Sequence, residues 1–150
     1  MLQKILVCLD GSSLAEQILP YVTEVALGCR SRLVLLEVTL PPSALVEPLT
    51  GYYHAAPLEK ILREEDEART YLNRIAQRLR KKGLKVSCVT IPGDPGETIV
   101  SYARENAVSL VALSTHGRGG LERLAFGSVA DFVLKKSGLP ILIRRPQETR

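Results

Sequence analysis

The sequence predicts an α/β fold: a parallel sheet with helices on both faces. Three observations carry this. Short apolar runs without polar alternation recur along the chain, as in strands buried on both sides. Between them lie stretches with apolar residues at three- and four-residue spacing, which is helical. The two kinds of segment alternate from one end to the other, and no linker or composition shift divides them. At 150 residues the whole chain, 1–150, is expected to form a single domain.

The first strand is Lys4-Ile5-Leu6-Val7-Cys8-Leu9, one charge followed by the longest unbroken apolar run. Asp10-Gly11-Ser12-Ser13 breaks it. A helix should follow, carrying Leu14, Ile18, Tyr21, Val22, Val25 and Ala26. Ser12 or Ser13 would cap it and Gly28 would end it. Leu33-Val34-Leu35-Leu36 with Val38 reads as the second strand. Residues 41–57 hold Pro41, Pro42, Pro48, Gly51 and Pro57 and are expected to be a loop. The next helix runs over residues 58–82, with Leu58, Ile61, Leu62, Ala68, Leu72, Ile75, Ala76 and Leu79 along one face. Its acidic first half and basic last part match the helix dipole. Gly83 ends it.

The third strand spans residues 84–91, rich in β-branched Val86, Val89 and Ile91. Asp94-Pro95-Gly96-Glu97 is a helix start. Asp94 caps, Pro95 takes the first helical position, and Glu97 reaches back. Residues 108–113 form the fourth strand. After a glycine-rich turn, Val129, Phe132, Val133 and Leu134 mark the last helix, which Gly138 ends. Ile141-Leu142-Ile143 is the fifth strand.

Composition narrows the function. Apolar residues are 45% and charged residues 24%, so the chain can fold around a core. The net charge of +4 tolerates an anionic ligand. Nucleic acid is not an expected partner, because aromatics are 5% with no Trp and basic residues are not interleaved with stacking side chains. No apolar run approaches the roughly 20 residues of a membrane span. The N-terminus shows no secretory pattern. Cys8, Cys29 and Cys88 are odd in number and far apart, which fits buried free thiols in a reducing cytoplasm better than a metal or disulfide motif.

In a parallel sheet, ligands bind beyond the C-terminal strand ends, where the winding switches direction. Three stretches should arrive there: Asp10-Gly11-Ser12, Val38-Thr39, and residues 114–128. The last reads Ser114-Thr115-His116-Gly117-Arg118-Gly119-Gly120, then Leu121 to Phe126, then Gly127-Ser128. Glycines let backbone N–H groups approach phosphate oxygens. Gly127-Ser128 opens the last helix, whose free N–H groups attract anions. Arg118 offers a guanidinium to a phosphate. The plainer reading is a turn with a serine cap. Asp10 can accept hydrogen bonds from ribose or an adenine amino group, or hold Mg²⁺ through water. Its plainer reading is an Asx turn. His116 fits a turn-ordering or ligand-contact role better than that of a base, and His54 lies in the proline-rich loop. The P-loop, dinucleotide and nucleophile-elbow patterns are absent.

These residues resemble the universal stress protein family, over nearly the whole chain. The likeness includes Lys4-Ile5-Leu6-Val7 through Asp10-Gly11-Ser12, Leu35-Leu36-Glu37-Val38, Gly93-Asp94-Pro95, and Pro140-Ile141-Leu142-Ile143. Most specific is Ser114-Thr115-His116-Gly117, nine residues, then Gly127-Ser128. Nucleotide-binding members carry G-x-x-G, nine residues, then G-[ST]; this chain has Ser114 at the first position. The resemblance implies a Rossmann-like sheet of five parallel strands in order 3-2-1-4-5. It implies an adenine nucleotide, ATP, ADP or AMP with or without Mg²⁺. Asp10 and Val38 would contact adenosine, Ser114 would lie at the ribose, and Gly117, Gly127, Ser128 and the backbone of Val129 would hold phosphates. His116, Arg118 and Gly119 would contribute from the connecting loop. It also implies a homodimer through the last strand, Pro140 to Arg144, and a role in stress survival in the cytoplasm without a defined reaction. The competing expectations are a slow ATPase or phosphotransferase, with Asp10 on the metal, and a protein-interaction module with a vestigial pocket.

Overall fold

The structure is a computed structural model and describes residues 1–39, 41, 58–115 and 127–147. Its elements are β1 (Lys4–Leu9), α1 (Ser13–Glu16), α2 (Leu19–Cys29), β2 (Arg32–Thr39), α3 (Leu58–Arg80), β3 (Lys85–Pro92), α4 (Pro95–Glu105), β4 (Leu110–Ser114), α5 (Ser128–Lys136) and β5 (Ile141–Arg144). The strands form one five-stranded sheet in the order β3-β2-β1-β4-β5, and every pairing is parallel. The alternation predicted by the sequence is therefore present, in the expected order.

The strands are apolar throughout because both sheet faces are covered. Ile5, Val7, Leu9, Leu33 and Leu35 face α1, α2 and α3, meeting Ile18, Val22, Leu72 and Ile75. Leu6, Val34, Leu36, Val111 and Leu113 face the other way, against Ile99, Ala103, Ala130 and Val133 of α4 and α5. Each fully buried Leu or Ile contributes about 2 kcal/mol by leaving water. The α4–α5 contact is close. A methyl group on Gly96 would stand 2.8 Å from the Phe132 ring, so this position seats α5 against α4.

Several boundaries differ from the sequence reading. The first helix is two pieces, α1 and α2, joined through Gln17 and Ile18. Pro20 explains the break: it has no N–H for the Glu16 carbonyl, and its ring would crowd that carbonyl in a continuous helix. Gly28 lies inside α2 rather than ending it. Arg30 takes the left-handed cap, at φ 55° and ψ 37°. Cys29, expected to be buried, is exposed, while Cys8 and Cys88 are half-buried. Leu58 and Leu62 do not join the core and are 68% and 55% exposed, because α3 meets the sheet only from Ala68 onward. The expected loop at 42–57 lies outside the described residues.

The chain beyond β5 returns to the start of the fold. Gln17 donates to the Gln147 carbonyl at 2.8 Å, and the Gln147 N–H donates to Gln17 at 2.9 Å. The Arg144 guanidinium stacks 5.5 Å from the Tyr21 ring centre. No described helix is long and apolar enough to cross a membrane.

Candidate functional site

The winding reverses between β1 and β4. From β1 the chain steps outward to β2 and β3, then crosses back to β4 on the other side. The C-terminal ends of β1 and β4 thus flank the crevice where such sheets take ligands. Register fixes what stands there. Leu9 is level with Glu37, which places Asp10 beside Val38. Val7 is level with Ala112, which places Leu9 at the level of Ser114. The structure therefore brings Asp10, Val38, Ser114, Gly127, Ser128 and Val129 to one edge. His116, Gly117, Arg118 and Gly119, with His54, lie outside the described residues.

Asp10 is held by its own turn. Its Oδ1 accepts from the Ser12 N–H at 2.9 Å and from the Ser12 hydroxyl at 2.6 Å. The same hydroxyl oxygen accepts from the Ala15 N–H at 3.1 Å, so Ser12 is the N-cap of α1. The Asx-turn reading of Asp10 is correct as a description of the fold. It leaves a half-buried carboxylate standing at the crevice. Ser114, at the end of β4, turns its hydroxyl onto α1 and donates to the Ala15 carbonyl at 3.3 Å.

The start of α5 is built differently. Gly127 is its N-cap, at φ 37° and ψ 149°, and among the described residues no side chain caps this helix end. The serine cap suggested by Ser128 is not formed; Ser128 is the first helical residue and is exposed. The reason is steric. A Cβ at position 127 would overlap the Thr115 carbonyl oxygen, so only glycine fits. Thr115 is itself fixed, 6% exposed, with its N–H donating to the Arg144 carbonyl at 3.0 Å. Val129 packs its side chain into the core and presents main chain at the helix start.

Two features escaped the sequence reading. One is the Thr115 carbonyl, which dictates Gly127. The other is an acidic group on the α3 side. Glu37 is 8% exposed at the end of β2. Glu16, on α1, pairs with Arg78 at 3.2 Å and Arg74 at 3.8 Å. The Tyr71 hydroxyl is held protonated beyond the usual phenol range, first by burial and then by the negative charges of Glu16, Glu37 and Asp10. Glu37 was visible as the one charge inside an apolar strand. Among the described residues no group of three or more His, Cys, Asp or Glu could hold a metal, so Asp10 alone does not make a metal cage.

Against this geometry stand the comparisons with known proteins. Residues 1–145 match the universal stress protein family. The chain belongs to the universal stress protein family. It is 28% identical over 148 residues to the universal stress protein YxiE of Bacillus subtilis, covering 97% of this chain and 100% of that one. A solved structure of the Methanocaldococcus jannaschii protein MJ0577 superposes with a TM-score of 0.83 at 27% identity, covering 99% of both chains. Two more distant universal stress protein structures share the fold. One, in complex with cAMP, has a TM-score of 0.63 at 20% identity over 97% of this chain and 98% of that one. The other, from Arabidopsis thaliana with AMP bound, has a TM-score of 0.69 at 14% identity over 97% and 92%.

Proposed function

We propose that this universal stress protein binds an adenine nucleotide at the C-terminal edge of its sheet and acts as a regulatory stress-response module, not as an enzyme. One observation carries the reading. The last helix starts on a glycine position that admits no side chain of its own, at the same sheet edge as the carboxylate that follows the first strand. Uncapped N–H groups favour an anion, and a carboxylate favours hydroxyl or amino donors. A nucleotide offers both in one molecule. The main chain of Gly127, Ser128 and Val129, with Gly117, would hold phosphates. Asp10 and Val38 would hold the adenosine, and His116, Arg118 and Gly119 would add contacts from residues 116–126. Mg²⁺ would arrive with the phosphates, near Asp10. The AMP and cAMP held by two relatives support the ligand class.

A second copy of the chain would pair along β5, in the cytoplasm where the three free thiols fit. Pro140 and Arg144 bond their carbonyls to β4, so the main-chain groups of Ile141 and Ile143 face outward. At the opposite edge, the outward Val86 carbonyl is already taken by the Arg80 guanidinium, at 2.7 and 3.2 Å.

The test is a titration of the purified chain with ATP, ADP, AMP and cAMP by calorimetry, alongside thermal melting. Saturable binding of at least one, with a raised Tm, is the expected result. No binding of any of them, and no adenine-absorbing compound released on denaturation, would refute the reading. ATP turnover that disappears in a folded Asp10→Ala variant would move the protein to the ATPase reading.

A further inference from the structure

Four hydrogen bonds link the two strand ends that flank the crevice. The Ser114 hydroxyl donates to the Ala15 carbonyl at 3.3 Å. The Ala15 N–H donates to the Ser12 hydroxyl oxygen at 3.1 Å. The Ser12 hydroxyl and N–H both donate to Asp10, at 2.6 and 2.9 Å. A path thus runs from the tip of β4, through the four-residue helix α1, to the carboxylate at the tip of β1. A helix of one turn has little stability of its own and takes its position from such ties.

Ser114 is also where this chain departs from the G-x-x-G pattern that it otherwise follows. A serine here could fill ligand space. Its hydroxyl is instead used on α1, on the sheet face that carries Ala112 and Leu110. We propose that Ser114 is a positioning residue: through Ala15 and Ser12 it sets the place of Asp10, and so the grip on the nucleoside half of the ligand. This rests on the nucleotide reading above. It adds that, in this chain, the residue replacing the motif glycine strengthens binding without touching the phosphates.

The role separates from simple structural support by the choice of ligand. Inorganic triphosphate would engage only the cradle at α5, whereas ATP also needs Asp10. Calorimetric titration of both ligands compares the wild type with Ser114→Ala, Ser114→Gly and Ser114→Thr. Ser114→Ala and Ser114→Gly should each weaken ATP about five-fold, the scale of one lost hydrogen bond, and leave triphosphate within about two-fold. Ser114→Thr keeps the hydroxyl and should return ATP affinity to near the wild-type value. Unchanged or tighter ATP binding by Ser114→Gly overturns the role, as does an equal loss of ATP and triphosphate. So does a Thr variant as weak as Ala. A wild-type chain that binds no ATP removes the nucleotide reading itself, and the positioning role with it.

Discussion

Of the helices that begin at the C-terminal edge of this sheet, α1, α4 and α5 have described caps, and these are closed in two ways. At α1 the Ser12 hydroxyl accepts from the Ala15 N–H, and at α4 the Asp94 carboxylate accepts from the Glu97 N–H at 3.0 Å. Each uses a side chain to satisfy an N–H that the helix itself cannot. At α5 the cap is Gly127, pressed against the Thr115 carbonyl where no side chain fits. The contrast lies in how each start is capped: by its own side chain at α1 and α4, by glycine at α5. A helix start that only needs stability takes Ser or Asp. On the proposed reading, the glycine start leaves room for an anion, at a cost of only about a few tenths of a kcal/mol relative to a Ser or Asp cap.

Closing the open start should have the largest effect. In Gly127→Ala the methyl group must displace Thr115, and φ 37° is strained for alanine. The expected outcome is loss of about 3 kcal/mol in urea unfolding and of measurable ATP binding by calorimetry. Moving α5 as a body comes next. Gly96→Ala pushes on Phe132 at 2.8 Å, and a cost of about 2 kcal/mol should accompany weaker ATP binding. An unchanged ATP affinity there would show that the placement of α5 does not matter.

Removing a structural cap should do less, and without touching the ligand. Asp94→Ala should cost about 1 kcal/mol and leave ATP affinity as it was. Weakened ATP binding in that variant would erase the distinction between the two kinds of helix start.

The smallest effect is a dependence on alkaline pH that ignores the site. Burial pushes the Cys8 thiol up to about 12 from 9.0. A pKa raised by folding gives stability that is complete below the unfolded value and is lost as pH rises toward the folded one. Unfolding free energy should therefore fall by under about 1 kcal/mol between pH 8 and about 9.5. Cys8→Ala should flatten that fall. Desolvation raises Cys88 and Tyr102 with the same sign.

Most of the fold was legible because two-sided burial leaves a plain mark: Leu33 to Leu36 has no polar residue. The capping chemistry at Asp94-Pro95 was equally plain, since it is local. Strand order was carried only by family likeness, because nothing local tells β1 that β4 will be its neighbour. At the candidate site, the arrival of Asp10, Val38, Gly127 and Ser128 at one sheet edge was legible from the strand and helix pattern. The ties that arrange them were not. Ser114 meets Ala15 across 99 positions of sequence, and the Thr115 carbonyl stands against Gly127, a contact no local pattern announces. The split of the first helix was legible in principle from Pro20, but the apolar spacing continues through it and hides the break.

Amide hydrogen exchange, read residue by residue with and without ATP, tests the main proposal most directly. If phosphates sit on the glycine-capped helix, exchange at Ser128, Val129 and Ala130 slows when ATP is added, while Ala15 and Glu97, already bonded to side chains, change far less. ATP that binds yet leaves residues 128–130 exchanging at their original rate would place the anion elsewhere and contradict the account.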